Sequence, residues 1–191
     1  MRSVQRCCAV QHFELEEMME ILSHPNPALS SGACDVDPTT DDTLRPLAER
    51  MARMMYDAPG IGLAAPQIGV MKRVIVYDLS EDGKGLTALC NPRIVERSEE
   101  CETDDEDCLS LPGINVPVER ACKITCEGEA LNGEKIRIRA EGLEARMFQH
   151  EVDHLDGLLI IDRATPEERK AALKRYREAL EHGAKPGETS I

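Results

Sequence analysis

Hydrophobic residues at helical spacing predict helices near both ends of the chain. The first is capped by Asp41 or Asp42, continues for about 15 residues and ends at Pro59–Gly60. Its buried stripe comprises Leu44, Leu47, Met51, Met54 and Met55. The last helix begins at a capping box in 165–168, stops near Gly183 and carries a basic side.

A third helix is predicted between residues 141 and 159, a stretch without proline. At helical periodicity, one face carries Leu143, Met147, His150 and His154, and the opposite face carries Phe148, Val152 and Leu155. A helix with two apolar faces is usually buried. We therefore expect this helix to lie inside the molecule.

Runs of strand-forming residues alternate with these helices. Four strands are predicted, at Val74–Tyr77, Ala88–Val95, Lys123–Glu127 and Glu134–Arg139. The last two flank Asn132–Gly133, a strong hairpin signal. A highly acidic run at 99–107 lies between the second and third strands and is predicted to be a solvated loop.

Length and charge exclude several classes of protein. The chain has 191 residues, enough for one domain with a full core, and its net charge of −13 argues against a nucleic-acid-binding surface. No apolar run approaches the length of a membrane span, and the acidic N-terminal residues are not typical of a secretory signal, so we expect neither. We expect a disordered extension at 1–18, one domain at 19–183 and a loose tail at 184–191, with Met18 or Met19 as the true translation start.

The candidate chemistry lies in the sequence QHEVDH at 149–154, which contains the pattern H-E-x-x-H. On a helix, His150 and His154 can hold one metal ion, with Glu151 beside them as a proton shuttle. The alternative is a helix that carries the pattern by chance, although buried histidines without partners would be costly. The eight cysteines are interpreted as reduced thiols, one or more of which is free to bind metal.

The glycine-rich segment GIGLAAPQIG at 60–69 resembles a dinucleotide-binding pattern only superficially. That pattern needs a strand before it and a helix after it, whereas here a helix precedes and a strand follows. Small residues instead let the backbone of a ligand approach closely, and Gln67 can offer an amide donor to a substrate oxygen. A tight structural connection is the alternative for this segment.

Three segments taken together, GIGLAAPQIG at 60–69, EDCLS at 106–110 and QHEVDH at 149–154, resemble the peptide deformylase family. The resemblance covers the chain from about Ile21 to Asp162. It implies an enzyme that removes the N-formyl group from the initiator methionine of new bacterial or organellar proteins. It also implies an α+β fold, with antiparallel strands packed around a central buried H-E-x-x-H helix.

The resemblance further implies that Cys108 is the third metal ligand, a choice that spacing alone does not make among the cysteines. The implied metal is Fe²⁺, with Zn²⁺, Ni²⁺ or Co²⁺ able to replace it. A metal-activated water would attack the formyl carbon, with Glu151 as general base and then general acid. The side chain of Gln67 and the backbone N–H of Leu109 would stabilise the oxyanion.

The same resemblance suggests how a formyl-methionyl peptide is bound. Its backbone would pair with Ile61, Gly62, Gly113 and Ile114 in a strand-like way. Leu143 and Met147 would line the methionine pocket, with Glu106 at its edge. Asp153 is expected to pair with Arg120, because an unpaired carboxylate on a buried helix is costly.

One residue departs from the family pattern, because Asp107 replaces the usual glycine before the metal-binding cysteine. If that glycine served a positive φ or a close approach, Asp107 would strain or crowd the site. Two rival functions follow: a peptidase with the same H-E-x-x-H chemistry, and a metal-binding paralogue disabled by Asp107. Hydrolysis of a formylated peptide separates them.

The expected partners are N-formyl-methionyl nascent peptides, in the cytoplasm of a bacterium and without membrane contact. We expect a monomer. The basic side of the last helix, formed by Lys170, Lys174, Arg175 and Arg177, is a candidate for a weak contact with the ribosome. The alternative is a solvated helix whose glutamates balance these charges.

Overall fold

A computed structural model describes residues 20–187 of the chain. The strands are β1 Gly62–Ala64, β2 Val74–Tyr77, β3 Thr87–Arg97, β4 Cys101–Asp107, β5 Asn115–Ala121, β6 Lys123–Glu129 and β7 Lys135–Glu141. The helices are α1 Leu44–Asp57, α2 Gly142–Leu155, α3 Ile160–Arg163 and α4 Pro166–Glu181, with short 3₁₀ helices at Pro27–Ser30 and Ala65–Ile68. The four predicted strands and three predicted helices are all present.

A five-stranded antiparallel sheet has the order β1-β2-β3-β6-β7, and β4 and β5 form a separate antiparallel pair. Helix α2 packs against strands of both sheets. Its Phe148 and Leu155 are completely buried, in a cluster with Ile75 and Leu89 of the larger sheet. The expected α+β fold with a central buried helix is thereby confirmed.

The prediction that the acidic run forms a loop was wrong, because β4 occupies most of it. Its residues pair in register with β5, whose Val116 and Val118 are fully buried and anchor the hairpin in the core. Glu106 turns inward to Arg120, while the other acidic side chains of β4 remain exposed to water. Charge disfavours strands in general, but here it lies on the solvent side of the hairpin.

The start of α1 also differs from the prediction. Thr43 is the residue before the helix, and Asp41 accepts hydrogen bonds from the Thr43 backbone N–H and hydroxyl. Asp41 therefore stabilises the turn before the helix and does not cap the helix itself. Met54, expected in the buried stripe, is only half-buried, because Ala48 and Ala52 lie on the core side.

The expected extension at 1–18, including the proposed start at Met18 or Met19, lies outside the described residues, as does the end of the tail. The described part of the tail is fixed at Gly187, whose N–H donates to the carbonyl of Leu109 at 3.0 Å. Between residues 20 and 187, no helix is long and apolar enough to cross a membrane.

Candidate metal centre

Three potential metal ligands from two parts of the chain meet beside α2. The helix carries His150 and His154 four residues apart, and Cys108 follows β4 directly. The Nε2 atoms of the two histidines are 3.2 Å apart, and Cys108 Sγ is 3.4 Å from His154 Nε2. All three donor atoms lie within 4.8 Å of one another.

This donor set fits a single metal ion. One thiolate and two imidazoles are ligands for Zn²⁺, Fe²⁺, Ni²⁺ or Co²⁺, and three protein ligands leave a coordination position for water. Cys108 and His154 are almost fully buried, so their electron pairs are shielded from bulk water. The three residues that the sequence and the resemblance nominated as ligands are therefore brought together.

Glu106 orients one of the histidine ligands. Its Oε2 lies 2.9 Å from Nδ1 of His150, which directs the other ring nitrogen of His150 toward Cys108 and His154. Carboxylates in this position fix the tautomer of a ligating histidine and increase its basicity. Nδ1 of His154 is buried and has no hydrogen-bond partner among the described residues, so only one of the two rings is held in this way.

Glu106 belongs to a buried network of charged side chains that holds its carboxylate in place. Arg120 binds Glu106 through two hydrogen bonds of 2.9 Å and Asp153 through one of 2.5 Å, which confirms the expected pairing of Arg120 with Asp153. Arg146 donates to Glu106 at 2.8 Å, and Arg163 binds Asp153. Burial alone would raise the pKa of Glu106, but hydrogen bonds from Arg120 and His150 hold this pKa well below its usual range.

Glu151 lies next to the three ligands and retains a carboxylate oxygen without a partner. Its side chain is 4% exposed, and Oε2 has no hydrogen-bond partner in the described part of the chain. Burial raises the pKa of Glu151 to about 7, although His150 opposes this effect and Glu106 adds to it. A carboxyl group with such a pKa can both accept and return a proton near neutral pH.

A cavity of about 280 Å³ opens onto the centre. Its lining includes the predicted substrate-binding residues Ile61, Gly62, Glu106, Leu143 and Met147, as well as Gln67, Leu109 and Glu151. Leu143 is 63% exposed, although it was placed on a buried helix face, because the first turn of α2 lies at the cavity mouth. Glu106 uses both carboxylate oxygens in the charge network and presents neither of them unpaired.

Two predicted substrate-binding residues, Gly113 and Ile114, do not line this cavity, and their role in binding stays a prediction. Ile114 is 3% exposed and packs in an apolar cluster with Leu111, Val116 and Tyr176. Gly113 has a φ of +76° and faces Ala179 and Ala184 rather than the cavity. Their closeness to Cys108 in sequence suggested a role in binding, but the turn after Cys108 directs them toward α4.

Gln67 and Leu109, the predicted oxyanion donors, both lie at the cavity. Gln67 is held in the 3₁₀ helix Ala65–Ile68, and its side-chain oxygen accepts the N–H of Ala64 at 2.9 Å. The backbone N–H of Leu109 has no acceptor among the described residues. Both groups can therefore donate to a ligand oxygen.

Asp107, the departure from the family pattern, does not strain the backbone. The only described non-glycine residues with positive φ are Pro59 and Asn91, so Asp107 adopts an ordinary conformation. It lies in β4 opposite Asn115, exposed at the edge of the cavity. Asp107 therefore does not disable the site through a strained backbone with positive φ.

Two further residues shape the site, and neither was assigned a role from the sequence. Arg146 binds Glu106 and the carbonyl oxygens of Glu102 and Val118. Because Arg146 lies four residues before His150 on the same helix, the sequence could have placed it beside the site. Ser110 was part of the EDCLS segment, yet no role was assigned to it. Its hydroxyl accepts a hydrogen bond from the side-chain nitrogen of Gln67 at 3.3 Å.

A cysteine, two histidines and a buried glutamate beside a cavity form the side-chain set typical of a mononuclear metallohydrolase. The sequence model of the family described as polypeptide deformylase matches residues 18–170. Peptide deformylase of Halothermothrix orenii is 48% identical over 146 residues, which cover 76% of this chain and 93% of that protein. The chain belongs to the polypeptide deformylase family.

Solved structures give the same result. A peptide deformylase from Legionella pneumophila superposes with a TM-score of 0.80 at 38% identity, covering 86% of this chain and 96% of that one. Peptide deformylase from Thermotoga maritima gives a TM-score of 0.72 at 42% identity, with coverages of 78% and 99%. The expected function, metal-dependent removal of the N-formyl group from new proteins, is thereby confirmed, and a peptidase is not supported.

Gly62→Ala is expected to lower kcat by about tenfold or more with little effect on folding, because it displaces the Glu151 carboxylate. A Cβ at this position would lie 2.5 Å from Glu151 Oε1, and the buried Glu151 side chain has little room to move. Steady-state kinetics and thermal unfolding of the purified variant measure both effects. Gly32→Ala is the matched control, since nothing lies within 4 Å of its added Cβ. Unchanged kcat in Gly62→Ala would show that the carboxylate position is not critical.

Proposed function

We propose that the chain hydrolyses the formyl amide of N-formyl-methionyl peptides at the centre formed by Cys108, His150 and His154, with Glu151 transferring the proton. The observation that carries this proposal is the unpartnered, buried Glu151 oxygen beside three converging ligand atoms. A bound divalent metal ion would lower the pKa of water and polarise the formyl oxygen.

The side chains perform the remaining steps. Glu151 accepts a proton from the attacking water and later gives it to the leaving amine, and its unpartnered Oε2 is available to take that proton. The Gln67 side chain and the Leu109 N–H donate to the oxygen that becomes negative. Because these donors are positioned before the reaction, they stabilise the transition state without a reorganisation cost.

The cavity sets the substrate orientation that we propose. Ile61 and Gly62, at the start of the outer strand β1, pair with the peptide backbone. The absence of a side chain at Gly62 lets the peptide approach this strand closely. Leu143 and Met147 contact the methionine side chain. A cavity of about 280 Å³ accommodates a formyl-methionyl unit and favours the small formyl group over bulkier acyl groups.

The metal that we propose is Fe²⁺, with Zn²⁺, Ni²⁺ and Co²⁺ as alternatives that the same ligands accept. Activity is expected to follow the metal content of each preparation. Purified protein is assayed anaerobically with formyl-Met-Ala-Ser after reconstitution with Fe²⁺ or Ni²⁺, and metal is quantified in the same sample. Unformylated Met-Ala-Ser-Lys is the control substrate.

Each result of that assay has a clear meaning. Formate release in proportion to bound metal supports the proposal. Cleavage of peptide bonds in the unformylated peptide would favour a peptidase. Stoichiometric metal without formate release would favour an inactive paralogue and contradict the proposal.

We further propose a monomer that acts in the bacterial cytoplasm and contacts the ribosome weakly through α4. Lys170, Lys174, Arg175 and Arg177 are exposed along this helix, which supports an electrostatic contact. The Nζ atom of Lys174 lies 3.7 Å from a carboxylate oxygen of Glu178. Among the described ion pairs, this is the only one that neutralises the charge of Lys174. Co-sedimentation with ribosomes that persists after substitution of these four residues by glutamine would contradict the α4 contact.

A further inference from the structure

Ser110 contacts the catalytic apparatus without belonging to the ligand set. Its side chain is completely buried, and its hydroxyl oxygen is 3.3 Å from Nε2 of Gln67. Gln67 is itself 2% exposed, so this contact is shielded from water. A buried hydroxyl that accepts an amide N–H restricts the rotation of that amide.

The carboxamide of Gln67 is therefore held at both of its ends. Its oxygen accepts the backbone N–H of Ala64 at 2.9 Å, and one N–H donates to Ser110. A rotation of the amide by half a turn would place its NH₂ group against the Ala64 N–H, with two donors facing each other. The second N–H of Gln67 has no acceptor among the described residues, and Gln67 lines the cavity.

Two backbone hydrogen bonds fix the loops that carry these residues. The N–H of Leu22 donates to the carbonyl of Gln67 at 2.7 Å, and the N–H of His24 donates to the carbonyl of Ser110 at 3.0 Å. The segment 22–24 thus joins the loop of Gln67 to the loop of Ser110. Because both loops are tied to one segment, the distance between the amide and the hydroxyl is maintained.

We propose that Ser110 is a positioning residue for deformylation: its hydroxyl accepts one N–H of Gln67 and directs the second N–H at the oxygen of the formyl group. This inference rests on the proposed role of Gln67 as an oxyanion donor. Ser110 touches neither the substrate nor the metal in this role. It acts only through Gln67.

A double-mutant cycle tests this dependence. Ser110→Ala is expected to lower kcat by about tenfold with little change in KM, and Gln67→Ala by about 10²-fold. In the Gln67→Ala background, Ser110→Ala is expected to change kcat by less than about twofold, because the amide that it orients is absent. Rates with formyl-Met-Ala-Ser are expressed per bound metal ion.

Further variants separate positioning from a general effect on folding. Thr125→Val removes a hydroxyl from a residue that is 4% exposed in β6, away from the cavity, and should leave kcat unchanged. Ser110→Gly removes the same hydroxyl as Ser110→Ala and should show the same dependence on Gln67. Thermal unfolding and metal content are measured for each protein.

Three results would overturn the inference. Additive losses in the double variant would indicate that Ser110 acts independently of Gln67. A normal kcat in both Ser110 variants, with Gln67→Ala impaired, would show that the hydroxyl is not needed. A normal kcat in Gln67→Ala would remove the oxyanion role on which the inference rests, while deformylation itself would still stand.

Discussion

Glu151→Gln is expected to retain the metal and to lower kcat by about 10²–10⁴-fold, the typical contribution of a general acid–base group. Glutamine has nearly the same shape but cannot accept a proton from water. The buried, unpartnered Oε2 of Glu151 beside the three candidate ligands supports its proposed role as the base. Steady-state kinetics with a formylated tripeptide and metal analysis of the same preparation measure the two effects.

Glu144→Gln provides the matched control for this prediction. It makes the same chemical change on the same helix, but Glu144 is not among the residues that line the cavity. Its kcat should remain within about twofold of the wild-type value. Near-normal turnover of Glu151→Gln would exclude Glu151 as the base, and loss of metal from that variant would instead indicate a role in holding the ion.

The sequence predicted the helical half of the site because helical spacing is a local property. Residues four apart on a helix lie on the same side, so His150 and His154 could be paired before any tertiary contact was known. The position of Glu151 between them follows from the same geometry. The fold class and Cys108, by contrast, came from the resemblance to a family and not from spacing.

The structure departs from the expectations where contacts between distant segments override local preference. Charge along 99–107 favoured a loop, yet these residues form a strand, because they pair with β5 and Glu106 accepts hydrogen bonds from the buried Arg120. Gly113 and Ile114 were assigned to substrate binding because they follow Cys108, but a turn directs them into contact with the region around α4. Neither outcome has a signal within a short window of sequence.

The hydroxyl of Ser110 and the amide of Gln67 are 43 residues apart in sequence and could not be paired by periodicity. Their contact depends on the segment 22–24, which bonds to both loops. The proposed oxyanion donors are thus positioned by segments distant in sequence, whereas α2 alone carries two of the three candidate metal ligands. This difference explains why the two histidines could be paired from the sequence, whereas the contact between Ser110 and Gln67 could not.

Arg120→Met is expected to reduce the free energy of unfolding by about 3–5 kcal/mol, because it leaves two buried carboxylates without a principal partner. Arg120 is 5% exposed and binds both Glu106 and Asp153, which are themselves buried. Arg146 and Arg163 would remain to offset part of the loss. Urea unfolding of the metal-free protein is the measurement, since a bound metal would add its own stabilisation.

Arg137→Met is the control, because Arg137 also binds two acidic residues, Glu96 and Glu127, but its side chain is 50% exposed. Exposed ion pairs contribute about 0–1 kcal/mol, so this variant should unfold close to the wild-type midpoint. Arg120→Met should also weaken metal binding, since Glu106 would no longer be held firmly against His150. An equal loss in the free energy of unfolding for Arg120→Met and Arg137→Met would contradict the prediction. It would show that the buried charge network does not stabilise the packing of the β4–β5 hairpin against α2.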